Sequence, residues 1–243
     1  MKGVILAGGT GSRLLPLTKV TNKHLLPIYN KPMIYYPIET LKKVGIKEIL
    51  VVTGTHHAGD IFSLLGSGKE FGVNFTFRVQ DEAGGIPQAI GLAKEFVGES
   101  KFISINGDNI IFDNITEFVK EFKNGNEEAR ILLYETTREE AKKAGVALLD
   151  GDKVLKIIEK PANPPSNLIS IGLLMFTSGV FDIIKTLKPS ARGELEIADV
   201  QNEYIRRGTL KASKLSGIWL DAGSIEELSR VSKEVANMMK DMN

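Results

Sequence analysis

The sequence predicts an α/β protein whose core is a doubly wound, mostly parallel sheet with helices on both faces, followed by a portion richer in strands. Three observations carry that expectation. Short apolar runs rich in Val, Ile and Phe recur through the first half of the chain. Each is followed by a stretch about as long as a crossover helix requires, the spacing of parallel strands. The first run also ends in a cluster of glycines, LAGGTGSR, where open α/β sheets place ligand loops.

Taken in order, GVILA (3–7) reads as the first strand, and a helix is expected from Pro32 to Gly45, where Ile34, Ile38 and Leu41 share a face. EILVVTG (48–54) is then followed by IFSLLG, FTFRVQ (75–80) by PQAIGLAKEFVG, and KFISING (101–107) by ITEFVKEFKNG. After residue 130 the pattern changes. RILLYETT reads as a strand, and VALLDGDKVLKIIEKP as a hairpin turning at Asp150 to Lys153, because Asp-Gly supplies the positive φ such turns need. ISIGLLMF continues the strands, and helices are expected around 179–187 and 194–207. A last strand near GIWLD precedes a C-terminal helix with Leu228, Val231 and Val235 on one face. No repeat, low-complexity tract or linker interrupts this order, so one domain over 1–243 is expected. The proline cluster KPANPP (160–165) has the length of a loop over a site.

At 243 residues the chain is long enough to bury a full core. Lys and Arg total 31 against 30 Asp and Glu, a formal charge of +1 that gives no global attraction for nucleic acid or an anionic membrane. Any bound anion must therefore be held locally. The absence of cysteine excludes a disulfide scaffold, thiol catalysis and thiolate metal sites. The apolar run in MKGVILAGG is too short for a signal-peptide core or a membrane span, and a soluble cytoplasmic protein is expected.

Gly8, Gly9 and Gly11 lie just past the first strand. They do not complete a dinucleotide fingerprint, because no third glycine follows at the required spacing, and no Gly-Lys-Ser/Thr makes a Walker A loop. Two readings remain: a tight turn with a surface arginine, or a cradle of backbone amides for a polyphosphate, with Arg13 as a planar cationic fork. Lys23, in TNKHLLP, could return a second cation to the same loop; alone it would read as a solvated surface residue. Asp108 follows the strand KFISI and Asp221 follows GIWL. Either could be a helix cap. Two of them beside a phosphate loop also match the preference of Mg2+ for one or two carboxylates plus substrate phosphates. His24, His56 and His57 show no metal-ligand spacing.

The stretch LAGGTGSRLLPLT…NKHLLPIYNKPMIYYPIETL resembles the N-terminal signature of the sugar-phosphate nucleotidyltransferases. The likeness continues through LLGSGKEFGV, INGDNI, IIEKP, PSARGELEIADV and WLDAG, in the family's order and over nearly the whole chain. RGELEIADV in particular is similar to the thymidylyltransferase-like members. The resemblance implies a Rossmann-like fold in which 1–130 mainly binds nucleotide and 131–243 mainly binds sugar phosphate. It places Leu6, Gly8, Gly9, Gly11, Ser12 and Arg13 around the nucleotide, with Gln80 and Gly85 reading the base. It gives Asp108 and Asp221 to Mg2+ and assigns Asn109, Gly145, Glu159, Lys160, Gly172 and Arg192 to the sugar phosphate. Without it, Gln80 is a polar strand end, Glu159 and Lys160 are ordinary strand-end charges, and Arg192 decorates a helix start.

The implied reaction joins dTTP and glucose 1-phosphate to give dTDP-glucose and pyrophosphate, with Arg13, Lys23, Asp108, Lys160 and Arg192 as its catalytic set. Because the second pKa of a phosphate monoester is about 6, the nucleophilic oxygen is already ionised and no general base is required. Four positions depart from the family pattern: Ser12 stands for threonine, Asn22 for serine, and Gly84 and Pro87 alter the segment after Gln80. Thymine and uracil differ by one methyl group, worth about 1 to 3 kcal/mol in an apolar pocket. UTP, or another hexose 1-phosphate, therefore stays open as a substrate. The short stretch after WLDAG implies a short-form enzyme without the additional C-terminal helices of longer members or their regulatory nucleotide site; a homo-oligomer is a family-level expectation. Outside enzymes, a noncatalytic sugar-nucleotide sensor is the alternative, and a nicotinamide dehydrogenase is disfavoured by the missing glycine.

Overall fold

The first apolar run forms β1 (Lys2–Ala7) in a computed structural model that describes residues 1–151 and 153–241. Past it the chain winds through single tight helical turns at Ser12–Leu14, Leu17–Lys19 and Lys23–Leu25. The small ribbon β2 (Pro27–Ile28) and β3 (Lys31–Pro32) leads into α1 (Tyr35–Lys43), which buries Ile38 and Leu41. Alternating elements follow: β4 (Glu48–Gly54), α2 (Ala58–Leu65), β5 (Asn74–Gln80), α3 (Ile86–Gly91), α4 (Lys94–Val97) and β6 (Phe102–Asn106). β7 (Asn109–Phe112), α5 (Thr116–Asn124), β8 (Ala129–Glu135) and α6 (Arg138–Ala141) come next. The strand-rich portion contains β9 (Gly145–Asp150), β10 (Lys153–Glu159) and β11 (Leu168–Phe176). The chain closes with α7 (Val180–Thr186), α8 (Ile197–Arg207), β12 (Leu210–Lys214), β13 (Ile218–Asp221) and α9 (Ile225–Asp241).

The main sheet runs β10-β9-β11-β6-β1-β4-β5, with β8 against β11 and β12 against β8. β6, β1, β4 and β5 are parallel neighbours, whereas β11 joins β6 antiparallel and brings in the strand-rich portion. Central parallel strands are covered on both faces, which is why Ile49, Leu50, Val51 and Val52 form an unbroken apolar run with no exposed surface. Alternation divides them: Ile5, Val51 and Ile103 join α1 on one face, while Val4, Val52 and Phe102 meet α3, α7 and α8 on the other. Full burial of each such side chain stabilises the fold by about 1.5 to 3 kcal/mol.

A third apolar cluster lies off the sheet, where α9 lays Val231 and Val235 on Ile110, Leu220, Ile28 and Tyr36. An aspartate at Val231 would leave a charge in that cluster without a partner and detach α9.

Several details differ from the sequence expectation. PQAIGLAKEFVG forms two short helices, α3 and α4, broken after Gly91, a poor helix former. β12 was not expected because LKASK is polar; it is an edge strand with no fully buried residue. β13 does not join the main sheet. It pairs antiparallel with β7, a strand hidden in the sequence behind Gly107 and Asp108, and its last rung sets Asp221 opposite Asn109. The β9–β10 hairpin turns through Gly151 at φ 55°, as the Asp-Gly pair predicts; position 152 of that turn lies outside the described residues.

Candidate active site

A cavity of about 370 Å³ opens at the carboxyl ends of β1, β5 and β6. Every residue expected around the nucleotide lines it: Leu6, Gly8, Gly9, Gly11, Ser12, Arg13, Gln80 and Gly85. Gly11 takes φ 66°, a left-handed conformation suited to glycine, and its carbonyl accepts from Thr18 Oγ1 at 2.8 Å and Leu14 N at 2.9 Å. Buried Leu14 anchors that turn. Gly8 is needed for closeness, since a Cβ there would lie 2.5 Å from Gln80 Oε1.

The charged centre is built by two segments. Asn22 caps the tight turn at Lys23–Leu25, its Oδ1 accepting from His24 N at 2.9 Å, and its Nδ2 donates to Ala7 O at the end of β1 at 3.4 Å. This turns Lys23 back over Gly9, where Nζ lies 2.5 Å from Asp108 Oδ2. Burial opposes ionisation of Asp108, but the adjacent Lys23 charge outweighs it and holds the carboxyl well below its usual range. Burial, reinforced by Lys23, pushes the His24 imidazole down to about 3, so it is neutral. Burial and the Asp108 charge push Asp221 up to about 7. Arg13 stands at the mouth: a Cβ on Gly223 would lie 3.0 Å from Arg13 Nη2 and 3.5 Å from Asp221 Oδ1.

The same geometry allows a test of Mg2+. Asp221 Oδ1 is buried without a hydrogen-bond partner, and it shares the cavity with a second hard oxygen donor, Asp108. A divalent cation would satisfy that orphaned oxygen and offset the paired negative charge. Two carboxylates plus phosphate oxygens and water are a normal Mg2+ set, so the residues fit the ion. No cluster of three or more protein ligands is present among the described residues.

At the β5 end of the cavity, Gln80 Nε2 donates to Gln88 Oε1 at 2.7 Å, and Gln88 Oε1 also accepts from Gly84 N at 2.9 Å. Gly85 has φ 96°, and any Cβ there would collide with the Leu195 carbonyl. Leu195 N donates back to Gly84 O at 2.9 Å, tying this loop to the segment before α8.

The residues expected at the sugar phosphate lie beside the cavity rather than in its lining. Arg192 Nη2 is 2.6 Å from Glu196 Oε2 and 3.4 Å from Glu159 Oε1, and Lys160 Nζ is 3.6 Å from Glu159 Oε1. Lys160 has φ 42°, a left-handed conformation rare for a residue with a side chain and shared here with Tyr29 and His57. Gly145 pairs with Glu159 in register, and a Cβ on it would lie 3.5 Å from the glutamate Oε2. Asn109 is a brace in this structure: its Oδ1 accepts from Gly172 N at 3.1 Å and Trp219 Nε1 at 2.8 Å, while its Nδ2 donates to Asp108 Oδ1 at 3.3 Å. Eight cavity residues were missed in the sequence: Thr10, His24, Ala83, Ile86, Ala89, Asn106, Glu194 and Gly223. Thr10, His24, Glu194 and Gly223 lie inside quoted motifs, LAGGTGSR, NKHLLP, RGELEIADV and WLDAG, whereas Ala83, Ile86 and Ala89 carry no chemical signal of their own.

A glycine-rich loop, a lysine–aspartate pair and a second aspartate at the ends of a parallel sheet are the arrangement expected of a nucleotide-handling enzyme. In agreement, the nucleotidyl transferase family profile matches residues 2–238, and the chain belongs to that family. Its relatives act in sugar-phosphate nucleotidyl transfer. The glucose-1-phosphate thymidylyltransferase of Neisseria meningitidis is 36% identical over 247 residues, covering 100% of this chain and 85% of that protein. The low-salt glycan biosynthesis nucleotidyltransferase Agl11 of Haloferax volcanii is 41% identical over 97% of this chain, which spans 66% of that protein's length. A Bacillus anthracis structure, provisionally assigned as a glucose-1-phosphate thymidylyltransferase and solved with sucrose, superimposes with a TM-score of 0.91 at 51% identity, covering 96% of this chain and 94% of that one.

Proposed function

We propose that the protein transfers the thymidylyl group of dTTP to glucose 1-phosphate, giving dTDP-glucose and pyrophosphate with Mg2+ as cofactor. The observation that carries this reading is the grouping of Arg13, Lys23, Asp108 and Asp221 at one end of the glycine-rich cavity. These groups suit a polyphosphate whose leaving portion gains negative charge. A sensor would need neither the buried pair nor the orphaned carboxylate.

The division of labour runs along the chain. Residues 1–130 hold the nucleotide: Leu6 and Gly8 seat the nucleoside, Gln80 and Gly85 present polar groups to the base, and the amides from Gly9 to Ser12 follow the phosphates. Residues 131–243 hold the sugar phosphate through Gly145, Glu159, Lys160, Gly172 and Arg192, while Asn109 fixes Asp108. Glu159 and Glu196 already engage Arg192, so a bound phosphate takes over part of that guanidinium's hydrogen bonding.

The reaction is an in-line displacement. A phosphate oxygen of the sugar 1-phosphate forms a bond to the α-phosphorus, the bond from that phosphorus to the bridging oxygen breaks, and pyrophosphate leaves with the electron pair. Lys160 and Arg192 align the attacking anion against its repulsion by the triphosphate. Arg13 and Lys23 stabilise the charge that grows on the pyrophosphate. Asp108 and Asp221 would hold Mg2+, which supplies charge neutralisation at the phosphates. Neutral His24 is not required as a base.

The test is pyrophosphate release with Mg2+, glucose 1-phosphate and each of dTTP, UTP, CTP, ATP and GTP in parallel. Fast release with dTTP supports the reading, and an equal UTP rate widens it to both pyrimidines. Binding without turnover across a hexose 1-phosphate panel would replace it with the sensor.

A further inference from the structure

A second cavity, of about 390 Å³, opens over the carboxyl ends of β4 and β5. It shares Gly8, Gly9, Thr10, Lys23, Gln80 and Ala83 with the first, so the loop backbone and the Lys23 side chain form the wall between the two. Beyond that wall its lining includes Lys19 and Thr21, from the turns after β1, and Thr55, His56 and His57, from the connection between β4 and α2.

This lining has the chemistry of an anion site. Lys19 and Lys23 bring two ammonium groups against one carboxylate, Asp81. Among the described residues the side chains of Thr10, Lys19, Thr21, Thr55 and His56 make no hydrogen bond or ion pair, so these donors are free to meet a ligand. His57 is engaged, with Nδ1 3.1 Å from Asp60 Oδ2. Apart from the glycines, Ala83 is the apolar residue of the lining, which gives a nucleobase or other flat apolar group little to pack against.

The order of the sheet narrows the anion. Glu159 and Lys160 stand at the end of β10, and the order β10-β9-β11-β6-β1-β4-β5 puts them on one side of β1 and the second cavity on the other. In a phosphoryl-type displacement the attacking and leaving oxygens lie roughly in line through the phosphorus. A sugar phosphate that attacks from the β10 side therefore drives the leaving group toward β4, past Lys23 and the Gly9–Thr10 backbone.

We propose that the second cavity is a product site that takes up pyrophosphate as it leaves the α-phosphorus, an inference that rests on the displacement described above. Lys23 belongs to both cavities and accompanies the anion from one to the other. Lys19, His56 and the threonine hydroxyls receive it. Held there, pyrophosphate is off the line of reverse attack on the new sugar nucleotide.

The experiment is equilibrium dialysis of radiolabelled pyrophosphate against protein saturated with dTTP, with sugar 1-phosphate omitted so that nothing turns over and with dTTP retention followed in the same cells. Bound dTTP fills the catalytic phosphate positions with its own phosphates. The wild type should retain one equivalent of pyrophosphate beside one of dTTP. Lys19→Ala/His56→Ala should bind pyrophosphate about tenfold more weakly, the loss of charged hydrogen bonds, with dTTP retention and the single-turnover rate unchanged. If pyrophosphate enters only by displacing dTTP, or if the double variant retains it as well as the wild type, the second cavity holds no product and the inference falls while the proposed reaction stands. Retention of two equivalents of dTTP and no pyrophosphate would give the cavity to a second triphosphate and overturn the assignment in another way. If neither dTTP nor any of UTP, CTP, ATP and GTP is retained, the proposed function falls and the product site with it.

Discussion

Asn109 and Asp221 face each other across the last rung of the β7–β13 ribbon, and that rung brings Asp221 to Asp108, its neighbour across more than a hundred residues of chain. The ribbon is fixed from outside by α9, through Val231 and Val235 against Leu220 and Ile110. A helix far from the chemistry thus determines where the second carboxylate stands.

The carboxylate pair favours function over stability. Asp221 Oδ1 is buried without a partner, so Asp221→Asn should leave the metal-free protein at least as stable as the wild type in urea unfolding. The same change should raise the Mg2+ concentration for half-maximal turnover on the order of a hundredfold. An unchanged Mg2+ titration would remove Asp221 from the metal site.

Lys23 and Arg13 should separate in a similar way. Lys23 forms a largely buried pair with Asp108, so Lys23→Met should cost both turnover and about 3 kcal/mol of stability by leaving Asp108 unpaired. Arg13 is exposed and makes no ion pair among the described residues. Arg13→Ala should therefore keep its unfolding midpoint while kcat falls about a hundredfold. Urea unfolding of the two variants would show the stability difference, and single-turnover kinetics the rate loss in both.

Gly8 is the point where the loop backbone meets Gln80, the side chain proposed to read the base. In Gly8→Ala the new methyl would sit 2.5 Å from Gln80 Oε1 and displace it. KM for the nucleotide should rise about tenfold, the cost of modest overpacking, with KM for the sugar phosphate unchanged. A rise in both constants would indicate a wider distortion of the loop.

His24 makes stability depend on pH. Its folded pKa of about 3 lies below the ordinary 6.5, so between those values the unfolded chain binds a proton that the folded protein does not. Stability is therefore full above about 6.5 and falls as the pH drops toward 3. Relative to His24→Gln, the wild type should lose about 1.4 kcal/mol between pH ~7.5 and pH ~5.5. Equal losses in the two proteins would show that another group carries the acid sensitivity.

Much of this candidate site was legible because a glycine-rich turn is local. Gly8, Gly9, Gly11 and Arg13 lie within one turn of chain after a strand, and the cavity contains all of them. Asp108 was readable for a related reason, since it lies just beyond the end of a parallel strand, whereas Gln80, at the end of another, was placed at the site mainly by the family resemblance. The pairing of Ser170 with Gln201 left no signal: a serine in an apolar strand and a glutamine in a helix meet only where α8 crosses β11. His24 likewise reads as an ordinary histidine until burial against Gly107 makes it neutral.

The sequence by itself determined the alternation of strands and helices, the parallel core and the glycine-rich turn, because hydrophobic period and glycine content act over a few residues. Only the tertiary structure decided that β13 leaves the main sheet for β7, that Asn109 is a brace on Asp108, and that Gln201 holds Ser170. These contacts join residues 109 with 221 and 170 with 201, with Asn109 acting on its own neighbour only because Gly172 and Trp219 hold it. Their geometry is set by the packing of whole elements, which no local pattern in the chain specifies.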